Sequence, residues 1–258
     1  MIYFLCTVYE REKETLALLS SIREIFSGVS WKFIVSDNSE VASYTQTSNV
    51  DNVFMFKTQG LYWNRGMISA FEFMRKNFEI NGQDTVICLN NDITLRASLC
   101  VDEILDSDVY VGSFVDGKGK FTYGLRRGYS KYLPLFFGTN FTGPCTFNMN
   151  FVAFKYTILK QHGFLDNRYS HGFGDYDLGL SLSFQGIVYR QSSLPIGICE
   201  RNEKSGTSRD KRLSLIKRFE LFHSVKECPF WEHVYFLKKN SKIFWPIVLF
   251  YRYLRVVI

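Results

Sequence analysis

Apolar and polar positions divide the first hundred residues into strands and helices that follow one another in turn. Residues 2–8 (IYFLCTV) are a nearly continuous apolar run, as a strand buried on both faces requires. Residues 12–26 then place Leu16, Leu19, Ile22 and Ile25 or Phe26 at helical spacing, which predicts a helix with one buried stripe. A second strand is predicted over 31–35, ending in Ser36-Asp37-Asn38-Ser39, and a third over 53–56. The loop Gly60-Leu-Tyr-Trp-Asn-Arg-Gly66 leads into a helix with Met67, Phe71, Met74 and Phe78 on one stripe, and Asn64 is its expected N-cap. Residues 86–89 form a short buried strand that stops at Asn90-Asn91-Asp92. This alternation predicts an α/β fold with a Rossmann-like, mostly parallel central sheet flanked by helices.

Past residue 108 the texture changes. The pattern predicts a strand over 109–115, then loop or short hairpins through a Gly-, Lys-, Arg- and Tyr-rich stretch to Gly138, then a strand over 146–154. A short helix over 156–161 is closed by His162-Gly163, and a helix over 175–185 is stopped by Gly186. Strands are expected over 187–189 and 194–198, and a basic helix over 208–225. Residues 229–258 read as one or two helices, with Pro246 as a start or a kink.

Composition sharpens this picture in three places. The 25 Phe and 15 Tyr serve the core first and a site or membrane interface second. The net charge of +6 lies late in the chain, which suits an anionic partner such as phospholipid or a polyanionic substrate, or a solvated helix face. No nucleic-acid motif accompanies it, so nucleic acid is not an expected partner. The six cysteines show neither zinc spacing nor a disulfide framework. No charged leader precedes the first strand and no apolar run reaches the ~20 residues of a spanning helix, so the expected location is cytoplasmic. Residues 244–251 are apolar and aromatic with Lys238, Lys239, Lys242, Arg252 and Arg255 around them. They read either as a segment lying on the inner face of the cell membrane or as a helix packed on the domain.

Candidate chemistry gathers at strand ends. Thr7 and Glu10, Asp37 and Asn38, and Asn90 and Asp92 all fall at one edge of the predicted sheet, where open α/β sheets bind ligands. The G-x-G-x-x-G turn of dinucleotide-binding domains is missing after the first strand, and so is a P-loop. A carboxylate at Asp92, flanked by amide oxygens, suits a hard divalent cation shared with a diphosphate, although Asn-Asn-Asp alone is equally the composition of a turn. Asp175 and Asp177 open the later helix, where the helix dipole favours carboxylates. Two residues apart they point about 200° from each other. One can face a cleft as a base while the other holds the structure.

Taken in order, these stretches resemble the inverting family-two glycosyltransferases of the GT-A fold, near the bacterial rhamnosyl- and galactosyl-transferase-like members. Thr7-Val-Tyr9-Glu10 resembles the family's opening strand and uridine-side turn, and Val35-Ser-Asp37-Asn38-Ser39 its nucleotide motif. Gly60–Gly66 resembles the loop and helix start beneath the nucleotide, and Leu89-Asn90-Asn91-Asp92 its D-x-D motif. Thr142-Gly143 resembles the stretch bordering the donor sugar. Gly163-Phe-Leu-Asp166 and Gly174-Asp175-Tyr-Asp177-Leu178 resemble its G-F-D-E … E-D-x-D-L ending.

The resemblance implies a GT-A domain over 1–205, with a nucleotide-binding half (1–107) and an acceptor half (108–205), followed by a basic helical segment over 206–258. It implies transfer of a sugar from a UDP- or dTDP-sugar to a hydroxyl of a glycan, which can be polyprenyl-diphosphate-linked, in O-antigen or capsule assembly. Asp175 is the implied base and Asp92 the implied ligand of Mg²⁺ or Mn²⁺. Thr7, Tyr9, Glu10, Asp37, Asn38, Asn64, Gly66, Asn90, Asn91 and Gly143 are the implied donor-binding residues. Asp177, Trp63, Glu200 and Arg201 are the implied acceptor or supporting residues, and Arg126, Arg127 and Arg201 are candidate phosphate contacts. The chain departs from the pattern at Asn90 (first acidic position of D-x-D), at Gly174 (usually Glu) and at Glu200, where many members carry His. Those departures keep open a non-catalytic nucleotide-sugar or glycan-binding module with a degenerate site.

Overall fold

A computed structural model of the 258-residue chain describes residues 1–40, 51–128 and 142–258, together with Ser130, Leu135 and the backbone of Phe137–Gly138. Its centre is a sheet of seven strands: β1 (Ile2–Val8), β2 (Trp31–Asp37), β3 (Val53–Lys57), β4 (Thr85–Leu89), β5 (Val109–Val111), β6 (Phe151–Lys155) and β7 (Arg190–Gln191). Their spatial order is β3-β2-β1-β4-β6-β5-β7, and β6 alone runs antiparallel to its neighbours. Among the described residues the α-helices are α1 (Glu12–Ile25), α2 (Trp63–Asn77), α3 (Val101–Leu105), α4 (Tyr156–His162), α5 (Gly174–Phe184), α6 (Leu215–Phe222), α7 (Phe230–Ser241) and α8 (Trp245–Val257).

The two-residue period of a strand sorts the core into two layers. Ile2, Phe4, Cys6 and Val8 of β1 pack with Leu18, Leu19 and Ile22 of α1 on one face. Tyr3 and Leu5 pack with Met67, Ala70, Phe71 and Met74 of α2 on the other. β4 divides the same way, Ile87 and Leu89 against Val86 and Cys88. All five of its residues are buried, as a central strand covered on both faces demands. A third cluster joins Tyr169, Phe173 and Leu180 to Phe236 and Leu237 of α7 and Val248 of α8. The C-terminal helices are therefore packed on the helix that carries Asp175.

Several expected elements differ. The strand expected over 109–115 is two, because the chain leaves the main sheet after Val111 and Phe114–Val115 pairs instead with Gly197–Ile198 and 121–123. The strand expected over 146–154 is likewise split, Cys145–Phe147 pairing with Leu125–Gly128 and β6 with β4 and β5. Residues 187–189 are not a strand; the pairing falls at Arg190–Gln191, and of 194–198 only Gly197–Ile198 pairs. The basic helix over 208–225 shrinks to α6, since Asp210 ties its carboxylate to Arg212 and the Gly206 N–H in a turn, and Ser214 caps the helix by accepting from Lys217 N. Pro246 stands in the first turn of α8 and starts that helix. Of the stretch to Gly138, Phe121–Tyr123 and Leu125–Gly128 are short strands, and much of the remainder lies outside the described residues.

Candidate active site

Strand order reverses between β1 and β4, and the crevice at their C-terminal ends is the topological switch point. Asp92 stands there, with its Oδ2 2.9 Å from Arg11 Nη1 and its side chain 39% exposed. Arg11 is its one hydrogen-bond or ion-pair partner among the described residues. Asn91 is buried and donates to Thr15 Oγ1 (3.0 Å) and the Arg11 carbonyl, which fixes the first turn of α1 against the end of β4. Asn90 accepts from the Trp63 indole N–H at 2.8 Å and donates to Asn150 Oδ1 at 3.1 Å. The amide at this first D-x-D position thus crosslinks α2 to β6, a role that needs one acceptor and one donor and that a carboxylate cannot fill.

The end of β2 carries the second group. Asp37 is buried and accepts from Ser39 N (2.9 Å) and Lys57 Nζ (3.1 Å). Asn38 donates to Thr7 Oγ1 (3.1 Å) and accepts from Thr58 Oγ1 (3.0 Å), so β1, β2 and the residue after β3 share one polar row. Gly66 lets α2 approach this row, since a Cβ there would stand 2.3 Å from Thr7 Oγ1. Tyr9 is half exposed just beyond, and Glu10, in the left-handed region (φ 51°), donates its N–H to Ser39 Oγ.

The third group opens α5. Asp175 accepts from Tyr176 N (2.8 Å) and Met149 N (3.3 Å). Burial pushes its pKa up to about 6, against the lowering influence of those two N–H groups and of Arg126. Asp177 is buried on the other side of the helix, held by Lys239 Nζ (2.6 Å) and Asn240 Nδ2 (2.8 Å) of α7. The two carboxylates diverge as helical geometry requires, one at the sheet edge and one fastening the C-terminal helices. Phe173, the residue before α5, sits in the left-handed region (φ 69°). Its ring stacks on His233 (5.4 Å) and Phe236 (4.8 Å) of α7, contacts that hold this uncommon conformation.

Hydrogen bonds join the first group to the third. Asn90 touches Asn150, whose neighbour Met149 donates to Asp175. Tyr123 is raised in pKa chiefly by burial, with the Asp92 charge raising it and that of Arg126 lowering it. Arg126 in turn lies 5.9 Å from the Tyr176 ring and acts on Asp175. The Asn90–Asn150 hydrogen bond and the Met149 N–H thus link the end of β4, which carries Asp92, to Asp175 at the start of α5.

Other residues fall elsewhere. Asn64 is not the N-cap of α2, which is Tyr62; Asn64 is buried inside the helix and donates to the Asp166 and Tyr169 carbonyls at 2.9 and 2.8 Å. It positions the loop before α5 rather than facing the cleft. Gly143, expected beside the donor sugar, lies with Ser183 and Phe184 at the C-terminal end of α5, lining a cleft of about 470 Å³. Ser183 and Phe184 stand about 12–14 Å along α5 from Asp175. A Cβ on Gly143 would stand 2.4 Å from the Gly128 carbonyl, so local chain packing explains the glycine. Glu200 accepts from Gly117 N (2.8 Å) and Arg201 donates to the Phe121 carbonyl (3.0 Å), both stitching the small sheet beside the cleft. Sequence reasoning missed Arg11, Lys57, Asn150 and Met149. Asn150 and Met149 fell inside the strand expected over 146–154 and carried no signal, and Arg11 carried none beyond its place one residue past Glu10.

Among the described residues no three His, Cys, Asp or Glu side chains converge as a metal cage. The donor set instead fits Mg²⁺ bound through one carboxylate, with phosphate and water completing the shell. Asp92, partly exposed and with Oδ1 unengaged, suits that mode.

No protein-family model matches the chain, and no curated protein does. Among solved structures it is similar to TarS of S. aureus, residues 1–349, with a TM-score of 0.55 and 11% identity over 92% of this chain. The chain spans 64% of that chain's length. Further similarities are to a nucleoside-diphosphate-sugar pyrophosphorylase of Vibrio cholerae RC9 (TM-score 0.46, 10% identity, 74% of this chain and 92% of that one) and to the galactosyltransferase LgtC (0.43, 14% identity, 72% of each chain). The protein has the GT-A fold, the fold of nucleotide-sugar glycosyltransferases. At 11% identity the likeness to TarS is one of fold.

Proposed function

We propose that the protein transfers a sugar, with inversion, from a UDP- or dTDP-sugar to a hydroxyl of a glycan acceptor. The observation that carries this reading is the hydrogen-bonded link from Asn90 at the end of β4, two residues before Asp92, through Asn150 and Met149 to Asp175, whose pKa stands at about 6. Asp37 and Asn38 would bind the base and ribose at the β2 end, and Arg11 and Asp92 stand where a diphosphate would cross between β1 and β4. Asp92 would hold Mg²⁺ or Mn²⁺, which when bound supplies positive charge at the leaving diphosphate.

In the reaction the acceptor oxygen forms a bond to the anomeric carbon while the bond from that carbon to the diphosphate oxygen breaks. The acceptor proton passes to Asp175, and the electron pair leaves on the nucleoside diphosphate. Attack from the face opposite the leaving group inverts the anomeric centre. A carboxylate of pKa about 6 is ionised at neutral pH and more basic than an ordinary Asp, as a general base should be. An acceptor in cell-surface polysaccharide assembly, carried on a polyprenyl diphosphate, would bring the protein to the inner face of the membrane. Release of nucleoside diphosphate from a panel of nucleotide-sugars, with and without glycan acceptors, tests the reading; a module that only binds would release none.

A further inference from the structure

The last helix packs by one face and leaves the other bare. Val248 and Val256 of α8 are buried, and Val248 joins the cluster formed with Phe236, Leu237 and Tyr169. On the opposite side Ile247 (61% exposed), Phe250 (69%), Leu254 (39%) and Ile258 (67%) succeed one another at steps of three or four residues. That spacing aligns them in a single stripe. Ile243, 82% exposed, stands just ahead of the helix. Single exposed apolar side chains need no explanation, but an apolar stripe running the length of a helix marks an interaction surface.

Charge identifies what it meets. From Lys238 to Ile258 the chain has five cations and no Asp or Glu. Lys239 turns inward to Asp177, and Arg252 lies over the Phe173 and Phe236 rings. Lys242 and Arg255 are exposed, beside Ile243 and Leu254 respectively. A second copy paired through the same face would bring these cations together with no acidic residue of the segment to answer them. An anionic lipid surface answers them directly.

We propose that this face of α8 docks on an anionic phospholipid bilayer, with Ile247, Phe250, Leu254 and Ile258 entering the acyl boundary and Lys242 and Arg255 meeting headgroups. α8 has 13 residues, about 20 Å of helix, and no helix among the described residues is long and apolar enough to cross a membrane. It lies on the bilayer. Because Arg252 of α8 is 5.7 Å from the ring of Phe173, the residue before α5, docking also sets how the Asp175 edge is presented to the surface. The inference stands on exposure and charge and does not depend on the glycosyl-transfer reading.

The test is flotation of the full chain with vesicles of phosphatidylcholine, with and without phosphatidylglycerol. The protein is expected to float with the anionic vesicles and to remain below with the neutral ones. Ile247→Glu with Phe250→Glu should weaken vesicle binding by at least about tenfold, and Lys242→Glu with Arg255→Glu should abolish the preference for phosphatidylglycerol. All four positions are exposed, so unchanged circular dichroism and unchanged nucleoside diphosphate release in solution are expected of both variants. Wild-type protein that stays below with anionic vesicles, or an Ile247→Glu/Phe250→Glu variant that floats as well as wild type, overturns the proposal. So does a wild-type dimer in light scattering that the same variant converts to monomer. Each of these results leaves nucleoside diphosphate release untouched.

Discussion

Asn64 and Gly174 occupy each other's space: a Cβ at position 174 would stand 1.7 Å from Asn64 Oδ1. The two residues lie in the first turns of α2 and α5, and their contact brings α2 against the helix bearing Asp175. Asn64 holds that geometry through the Asp166 and Tyr169 carbonyls, and its Oδ1 has no hydrogen-bond partner. Gly174 is thus an accommodation to Asn64, and a glutamate at this position does not fit beside it.

Gly174→Ala is therefore expected to destabilise the protein by about 1–3 kcal/mol through overpacking. In an Asn64→Ala background the same change should cost clearly less, because the obstructing oxygen is gone. Urea unfolding of the four members of the cycle measures this coupling; additive costs would show that the two residues do not compete.

Asp175 and stability are linked with a definite sign. Its folded pKa, about 6, lies above the 3.8 of an ordinary Asp, so the folded state holds this proton more tightly than the unfolded state. The protonated carboxyl contributes stability in full below pH 4, and that contribution is lost as pH rises through about 6. Asp175→Asn removes the ionisation. Relative to wild type, the variant should gain on the order of 2 kcal/mol between pH 4 and pH 8. Thermal melts at both pH values check this; a wild-type-minus-variant difference independent of pH would contradict the buried, raised carboxylate. In wild type, turnover should rise with pH through about 6 and then level, since the base must be ionised.

Asp177 should behave oppositely. It is buried and bound by Lys239 and Asn240, so Asp177→Ala leaves both partners without their acceptor. With Lys239 one-third exposed, a loss of about 2 kcal/mol is expected. The midpoint of unfolding should fall, while turnover per folded molecule, measured well below that midpoint, stays within a few-fold. A collapse of turnover with no loss of stability would move the chemistry from Asp175 to Asp177.

The Arg11–Asp92 pair is half exposed on both sides, and such pairs contribute under about 1 kcal/mol. Asp92→Ala should leave the unfolding midpoint nearly unchanged while removing the Mg²⁺ or Mn²⁺ dependence of UDP binding. Titration calorimetry with and without the ion reads this out, and a variant that keeps the full metal effect would exclude Asp92 as its ligand.

Much of the central sheet was legible because its signal is local. The run at 86–89 is apolar throughout, that at 2–8 is broken by Thr7 alone, and the α1 and α2 stripes follow the 3.6-residue period. The split strands at 109–115 and 146–154 were not legible, because leaving one sheet for another after Val111 or Phe147 changes partners without changing residue type. Position was legible where a strand end delivers the side chain, as at Asp37, Asn38 and Asp92. It was misread where tertiary contact decides: Asn64 looks like a cap but reaches 102 residues ahead to the Asp166 carbonyl, and Gly143 looks like a donor contact but packs on Gly128. Arg11 became visible only once β1 and β4 stood side by side.

Nucleoside diphosphate release by wild type and Asp175→Asn, compared over a panel of UDP- and dTDP-sugars at pH 7.5 or so with Mn²⁺ and glycan acceptors, bears most directly on the whole account. Release by wild type with at least one donor, and a loss of about 10²–10⁴-fold in a variant that still binds the nucleotide, is the expected result. Equal release by the two proteins would contradict it.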